Sequence, residues 1–121
     1  MNQTLEQNTQ TWTFVCALEQ IPLNGGGCAL VGGEQVAVFR LPGNNKVYAL
    51  NNRDPFMNAN VLSRRIVGSR VVDGLERLKV ASPLGKQNFD LETGVCLDDP
   101  SVTVAVYQVK VEAGRVRVGG A

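Results

Sequence analysis

Valine dominates this 121-residue chain, occurring eighteen times against only two isoleucines. Its branched Cβ restricts the side-chain rotamer and suits a pleated strand better than a helix. Val102, Val104 and Val106 alternate with Thr103 and Ala105, which is the period-two pattern of a half-buried strand. No segment of the sequence shows a sustained helical stripe of apolar residues. The chain is therefore predicted to be all-β, with short antiparallel strands in a small sandwich or barrel.

Glycine-containing turns separate the predicted strands. Asp73-Gly74 is typical of a two-residue hairpin, because both central residues of that turn need a positive φ. Glu92-Thr93-Gly94 and Glu112-Ala113-Gly114 predict two further reversals. The run Asn24-Gly25-Gly26-Gly27 lacks the spacing of a phosphate-binding sequence and is interpreted as a loop between strands.

The order of polar and apolar segments predicts one domain with a tail. Residues 1–11 are polar and rich in Gln, Asn and Thr, so we expect a flexible N-terminal tail followed by a single β domain over 12–121. Segments 18–23 and 58–65 are each long enough to contain a short helical turn. The first strand is expected to place alternate residues on one face: Trp12, Phe14, Cys16 and Leu18.

Composition excludes several classes of function. The absence of histidine removes a His general base, Ser–His and Cys–His nucleophile pairs, and every His-containing metal site. Twelve basic and eleven acidic side chains leave a net charge of +1, too little for a nucleic-acid-binding field. The sequence has no signal peptide and no apolar run of about 18 residues that would span a membrane. We expect a cytoplasmic protein that contacts neither nucleic acid nor membrane.

Other candidate sites have ordinary structural interpretations. The chain contains three widely separated cysteines: Cys16, Cys28 and Cys96. Their spacing fits neither a disulfide framework nor a metal knuckle, so they are interpreted as reduced structural thiols. Asp98-Asp99 is interpreted as a solvated turn. For the basic patch of Arg64-Arg65 and Arg70, two interpretations stay open: a solvated face or a contact for an acidic partner.

Two loop segments carry the most specific signal. Residues 51–57 read N-N-R-D-P-F-M, and residues 80–94 read V-A-S-P-L-G-K-Q-N-F-D-L-E-T-G. Their order resembles the Rieske ferredoxin fold, whose two cluster-binding loops read C-P-H and C-P-x-H. In that fold an F-D-x-x-x-G segment follows the second loop. The resemblance implies a Rieske-like β domain over most of the chain.

The resemblance also shows that all four ligand positions have changed. Asp54 and Ser82 stand where the Rieske fold has cysteines, and Phe56 and Gly85 stand where it has histidines. A Rieske cluster needs two thiolates on one iron and two imidazoles on the other. Hard oxygen donors suit such a cluster poorly, and phenylalanine and glycine offer no side-chain ligand. We therefore expect no metal, no cofactor and no catalytic residue in this chain.

A chain of this length with these loops resembles the small subunits of bacterial NAD(P)H-dependent assimilatory nitrite reductases. The matching segments are E-Q-V-A-V-F-R at 34–40, N-R-D-P-F at 52–56, V-L-S-R at 61–64 and V-A-S-P-L-G-K-Q-N-F at 80–89. The resemblance implies a large-subunit partner that carries FAD, an iron–sulfur cluster and sirohaem and reduces nitrite to ammonium in nitrate assimilation. For this chain it implies an accessory, non-catalytic role.

The two altered loops are expected to form an apolar tip with a basic rim. The expected partner-contact residues are Arg53, Pro55, Phe56, Met57, Arg64, Pro83, Leu84 and Lys86. Two interpretations of Phe56 stay open: it docks on the large subunit, or it fills the volume that a cluster would occupy. The alternative function is a Rieske-fold adaptor or interaction module of another reductase or oxygenase. Self-association through unpaired edge strands is a further expectation.

Overall fold

The computed structural model describes residues 11–41, 46–64, 67–81 and 87–120, which form twelve β-strands and two short 3₁₀ turns. Every pairing between these strands is antiparallel. The all-β prediction is therefore confirmed. The predicted helical turns are also present, as 3₁₀ turns at Leu18–Gln20 and Leu62–Arg64.

The strands form four sheets. The first, in the order β1-β12-β11, contains β1 Thr13–Ala17, β12 Arg115–Val118 and β11 Val109–Glu112. The second, in the order β10-β4-β3-β2, contains β10 Val106–Tyr107, β4 Val47–Asn51, β3 Glu34–Arg40 and β2 Gly26–Val31. The third pairs β5 Arg53–Asp54 with β6 Ala59–Asn60. The fourth, in the order β7-β8-β9, contains β7 Val67–Val72, β8 Leu75–Ala81 and β9 Asn88–Asp90.

Strand β3 lies between two cores and is buried on both faces. Its residues Ala37 and Phe39 enter one apolar cluster, which includes Val80 and Phe89 of the β7-β8-β9 sheet. The alternate residues of β3 enter a second cluster with the β1-β12-β11 sheet: Val36 and Val38. The four-stranded sheet is thus the middle layer of the fold. Burial on both faces explains the continuous apolar run of β3 in the sequence.

The expected face of the first strand is corrected by the structure. The register of β1 against β12 shifts between Phe14 and Cys16, which is the signature of a β-bulge. Because the bulge interrupts the alternation, Cys16 and Leu18 pack against the second core, whereas Phe14 remains 43% exposed. The four residues therefore do not share one face.

Three of the predicted turns are confirmed as tight reversals. Asp73-Gly74 joins β7 to β8 with φ of 51° and 81°, and Ala113-Gly114 joins β11 to β12 with φ of 52° and 74°. The turn at 92–94 ends at Gly94, whose φ is 78°. An alanine in the left-handed region is unusual and costs free energy, because its Cβ crowds the backbone.

Two other sequence expectations are corrected. Gly26 and Gly27 lie inside β2 and not in a loop, and Gly26 pairs with Phe39 of β3. A Cβ at Gly26 would come within 2.8 Å of the Phe39 ring, so glycine leaves room for that ring between the two strands. The strand predicted through 102–106 begins only at Val106, since the N–H of Val104 instead donates to the carbonyl of Gly94 at 2.8 Å.

The predicted tail covers residues 1–11, of which 1–10 lie outside the described part of the chain, so it stays a prediction. Among the described residues, no helix is long and apolar enough to cross a membrane.

Candidate functional site

A short hairpin, β5–β6, projects the 54–58 turn, and Asn52 fixes the base of that hairpin. Asn52 is 2% exposed, and its N–H donates to the carbonyl of Gln35 at 2.9 Å. Its carbonyl accepts the N–H groups of Val61 and Leu62, and its side-chain oxygen accepts that of Ser63 at 2.6 Å. One buried amide therefore joins strand β3 to the segment that returns from the turn.

Asp54 organises the 54–58 turn from the inside. Its side chain is fully buried, and Oδ1 accepts the N–H of Phe56 at 2.8 Å and that of Met57 at 3.3 Å. The N–H of Asn58 donates to the Asp54 carbonyl at 2.7 Å, and Asn58 adopts a φ of 57°, which asparagine tolerates well. The guanidinium of Arg53 donates to the side-chain oxygen of Asn58 across the same turn.

This arrangement presents apolar side chains to solvent. With the backbone N–H groups turned toward Asp54, Phe56 is left 40% exposed and Met57 42% exposed, and Pro55 and Arg53 are exposed beside them. We call these four residues, Arg53, Pro55, Phe56 and Met57, the tip surface. It combines three exposed apolar side chains with one arginine, on a turn whose backbone N–H groups donate to Asp54.

Phe56 also contacts the core. Its ring lies 6.1 Å from that of Phe89, with the planes tilted by 44°, and Phe89 is fully buried. Aromatic pairs at this separation are attractive beyond the area they bury. Phe56 therefore covers the core on one side and faces solvent on the other, so the geometry is compatible with both interpretations of its role.

A second turn, at 90–94, repeats the hydrogen-bond pattern of the first. Oδ1 of Asp90 accepts the N–H groups of Glu92 and Thr93 at 2.8 and 3.1 Å, and the Asp90 carbonyl accepts that of Gly94 at 2.8 Å. A Cβ at Gly94 would meet the carbonyl oxygen of Val104 at 2.0 Å. The F-D-x-x-x-G segment is therefore a scaffold element that seats this turn against the core.

The buried carboxylates of Asp54 and Asp90 differ in whether Oδ2 has a hydrogen-bond partner. Oδ2 of Asp90 accepts a hydrogen bond from Nε of Arg77 at 2.5 Å, and Glu92 lies 3.5 Å from the same guanidinium. Burial raises the pKa of Asp90, but the hydrogen bonds from Arg77 and from the turn backbone outweigh it, so that pKa lies below its ordinary value. Oδ2 of Asp54, in contrast, is buried and finds no donor among the described residues.

The remaining expected site residues fall on the second loop. Residues 82–86, including Ser82, Pro83, Leu84, Gly85 and Lys86, lie outside the described part of the chain, so their place at the tip stays a prediction. The backbone of Arg64 ends the second 3₁₀ turn, but its side chain is also outside the described set. Of the basic patch, Arg70 pairs with Asp98 at 2.7 Å.

The donors present do not fit a Rieske-type cluster. The whole sequence lacks the imidazoles that one iron of such a cluster requires. The cysteines are all distant from the tip turn in sequence: Cys16 in β1, Cys28 in β2 and the buried Cys96. Burial raises the pKa of Cys16 and so disfavours its thiolate form. Within 11–41, 46–64, 67–81 and 87–120, no three His, Cys, Asp or Glu side chains group closely enough to hold a metal ion.

Three antiparallel β layers with a projecting loop hairpin are the architecture of a Rieske-like domain. The family of Rieske-like [2Fe-2S] domains matches the chain over residues 11–119. The nitrite reductase (NADH) small subunit of Salmonella typhimurium is 41% identical over 109 residues, which cover 90% of this chain and 97% of that protein. The chain belongs to this Rieske-like family and, within it, to the small subunits of NAD(P)H nitrite reductases.

A further relative is a larger protein. The nitrite reductase [NAD(P)H] large subunit of Klebsiella oxytoca is 40% identical over 111 residues, which cover 92% of this chain but only 11% of that protein. A domain similar to this chain is therefore part of a large-subunit polypeptide in that organism.

Solved structures agree with the fold. The NADH-dependent nitrite reductase small subunit from Mycobacterium tuberculosis superposes with a TM-score of 0.84 at 44% identity, covering 94% of this chain and 98% of that one. The ferredoxin of carbazole 1,9a-dioxygenase from Nocardioides aromaticivorans superposes with a TM-score of 0.74 at 26% identity, covering 92% and 99%. The predicted fold and family are thus confirmed.

Two residues that hold this region, Asn52 and Asp90, are not among the site residues predicted from the sequence. In the sequence, Asn52 is only part of a matching segment and Asp90 only part of the F-D motif. A usable signal was the repeated spacing itself, since Asp54 and Asp90 each lie four residues before a residue that adopts a positive φ, Asn58 and Gly94.

Proposed function

We propose that this chain is an accessory subunit that docks on the nitrite reductase large subunit through the tip surface and transfers no electrons itself. The large subunit supplies the redox chemistry, with FAD, an iron–sulfur cluster and sirohaem as the cofactors that the family resemblance implies. The proposal of docking rests on the exposure of Phe56 and Met57 on a turn fixed by the buried Asp54.

The composition of the tip surface supports a protein contact. Aromatic residues, methionine and arginine are enriched at the centres of protein interfaces, and the tip surface places Phe56, Met57 and Arg53 side by side. Because the turn is held by its own hydrogen bonds, binding would order few additional groups. On the resemblance of the sequence alone, we include Arg64, Pro83, Leu84 and Lys86 in this proposed contact.

The Klebsiella oxytoca relative supports the identity of the partner. Its large subunit contains a segment similar to most of this chain. We expect a domain that is part of the large subunit in one organism and separate in another to contact the same protein in both cases. We therefore take the large subunit of the same enzyme as the partner and place the docked chain in the cytoplasm with it.

Binding assays with paired variants test the proposal. Phe56→Asp and Met57→Asp place a charge on the tip surface, and Leu75→Asp serves as a control because Leu75 is 65% exposed on the separate β7–β8 hairpin. The affinity of the full chain for the purified large subunit is measured by calorimetry. We expect either tip variant to weaken binding by roughly tenfold or more, and the control by less than about twofold.

The same variants separate docking from filling. Phe56 contacts Phe89, so Phe56→Asp carries some risk to the fold, and Met57→Asp, at a residue that is 42% exposed, provides a second variant. Circular dichroism and thermal unfolding establish which variants remain folded. A folded Met57→Asp variant that binds the large subunit with wild-type affinity would contradict docking by the tip surface. Capture of a different reductase or oxygenase in place of the large subunit would favour the adaptor alternative.

A further inference from the structure

The outer face of the β1-β12-β11 sheet holds three cations over two aromatic rings. The guanidinium of Arg115 lies 4.4 Å from the centre of the Phe14 ring, and that of Arg117 lies 5.7 Å from it. The ammonium of Lys110 lies 4.6 Å from the centre of the Trp12 ring. We call these five residues, Trp12, Phe14, Lys110, Arg115 and Arg117, the basic face.

The strand register explains why these groups point away from the core. Val116 and Val118 of β12 are fully buried in the second core, so the alternate residues Arg115 and Arg117 lie on the opposite face of the sheet. Phe14 pairs with Arg117 across the strands and shares that face, where it is 43% exposed.

Positive charge exceeds negative charge on this face. Among the described residues, none of its three cations forms a salt bridge; the ion pairs found there involve Arg70 and Arg77 on the β7-β8-β9 sheet. Strands β1, β11 and β12 contain one acidic residue, Glu112, which pairs with Arg115 across the strands. Three cations against one carboxylate leave a positive excess on one small sheet of a chain whose net charge is +1.

The two chain ends of the domain lie beside the basic face, which is where a fused large subunit would be joined. Thr13 pairs with Val118, so both ends of the domain leave from the same end of the same sheet. Trp12 and Lys110 lie at that end. A polypeptide joined to either end of this domain, as in a fusion of the Klebsiella oxytoca type, would therefore leave beside this sheet.

We propose that the basic face is a second contact surface for the large subunit and that it receives an acidic, carboxylate-bearing segment of that partner. This inference rests on the proposed function, because it takes the same partner. Arginine binds carboxylates in a bidentate geometry, and stacking on Phe14 holds the guanidinium groups in place before the partner arrives. Exposed charges of this kind act mainly on the association rate and its salt dependence.

Charge reversal tests the basic face. The full chain carrying Arg115→Glu is compared with the double variant Val71→Asp/Leu75→Asp, which changes the net charge equally at two exposed positions of the β7–β8 hairpin. Binding to the purified large subunit is measured kinetically at low and high salt. We expect Arg115→Glu to weaken binding by roughly tenfold and to reduce its salt dependence, and the double variant to change it by less than about twofold.

The outcomes separate this inference from the proposed function. If Arg115→Glu is misfolded by circular dichroism, Lys110→Glu replaces it, since Lys110 lies on the adjacent strand. Wild-type affinity of the folded variant, with weakened binding of Met57→Asp, would overturn the basic face and leave tip docking intact. Failure of the wild-type chain to bind would overturn both. A change in the sedimentation of the chain alone, without a change in large-subunit binding, would assign the face to a second copy and overturn the inference.

Discussion

The buried carboxylates of the two turns are expected to respond differently to the same substitution. Asp54 and Asp90 each accept two backbone N–H groups through Oδ1, but only Asp90 has a partner for Oδ2, the guanidinium of Arg77. Replacing either aspartate with asparagine keeps an oxygen acceptor for the turn and removes the charge. The substitution therefore puts an NH2 group in place of an unpartnered oxygen in Asp54, but in place of an oxygen paired with Arg77 in Asp90.

The hydrogen-bond geometry sets the expected magnitudes. A hydrogen bond to a charged group contributes about 1.5–3 kcal/mol, so Asp54→Ala, which loses one short and one longer bond, costs about 2–4.5 kcal/mol. In Asp54→Asn the neutral acceptor weakens both bonds by about 1–2 kcal/mol, and exchanging the unpartnered carboxylate oxygen for an unpartnered neutral NH2 group, which costs less to bury, offsets a similar amount. The net change is within about 1 kcal/mol. Asp90→Asn also loses the Arg77 bond and costs about 2–3 kcal/mol.

Urea unfolding provides the assay. The single tryptophan, Trp12, starts the first sheet and reports unfolding by its fluorescence, and midpoints are compared at constant slope. The expected order of stability is wild type and Asp54→Asn together, then Asp90→Asn, with Asp54→Ala clearly below Asp54→Asn. A variant Asp54→Asn as unstable as Asp54→Ala would refute the reasoning, because changing the second oxygen would then cost as much as removing the whole carboxylate.

Three further predictions concern the turns. Gly94→Ala is expected to lose more than about 3 kcal/mol of unfolding free energy in the same assay, because its Cβ would collide with the Val104 carbonyl and its φ is 78°. Against the effect of burial, the hydrogen bonds from Arg77 and the turn backbone hold the pKa of folded Asp90 below its unfolded value of 3.8, so ionised Asp90 adds stability that is lost as the pH falls through the folded pKa. The unfolding free energy measured against pH should therefore fall less steeply below pH 3.8 in Asp90→Asn than in the wild type. An unchanged slope would contradict the Arg77 pairing. Ala113→Gly is expected to raise the thermal midpoint, by relieving about 0.5–1 kcal/mol of left-handed strain, and a lowered midpoint would contradict this.

The strands and turns could be predicted because their causes are local. Positive φ at Asp73-Gly74 and Ala113-Gly114 follows from turn chemistry, and the valine alternation of β12 follows from one buried face. The bulge in β1 could not be read in this way. It depends on the register against β12, which lies about a hundred residues further along the chain, and no local residue in 14–16 marks it.

The sequence predicts the residues of the tip surface, but it does not predict the hydrogen bonds that hold the turn on which they lie. The Asp-Pro-Phe-Met sequence marks a turn with apolar residues, and Phe56 and Met57 are indeed exposed. Their presentation depends on the burial of Asp54 and on Asn52, whose partners Gln35 and Ser63 lie on separate elements. Such contacts between distant segments leave no spacing pattern, so the hydrogen-bonded base of the hairpin becomes visible only in three dimensions.

The most direct test of the central claim is a determination of iron and acid-labile sulfide in the full chain, expressed and purified under anaerobic conditions. The account holds that this Rieske-like scaffold contributes contact surfaces and no electron carrier, because the chain lacks imidazole and its thiols lie outside both loops. It predicts neither element in stoichiometric amount. Two irons and matching sulfide per chain, as in a [2Fe-2S] domain, would contradict it.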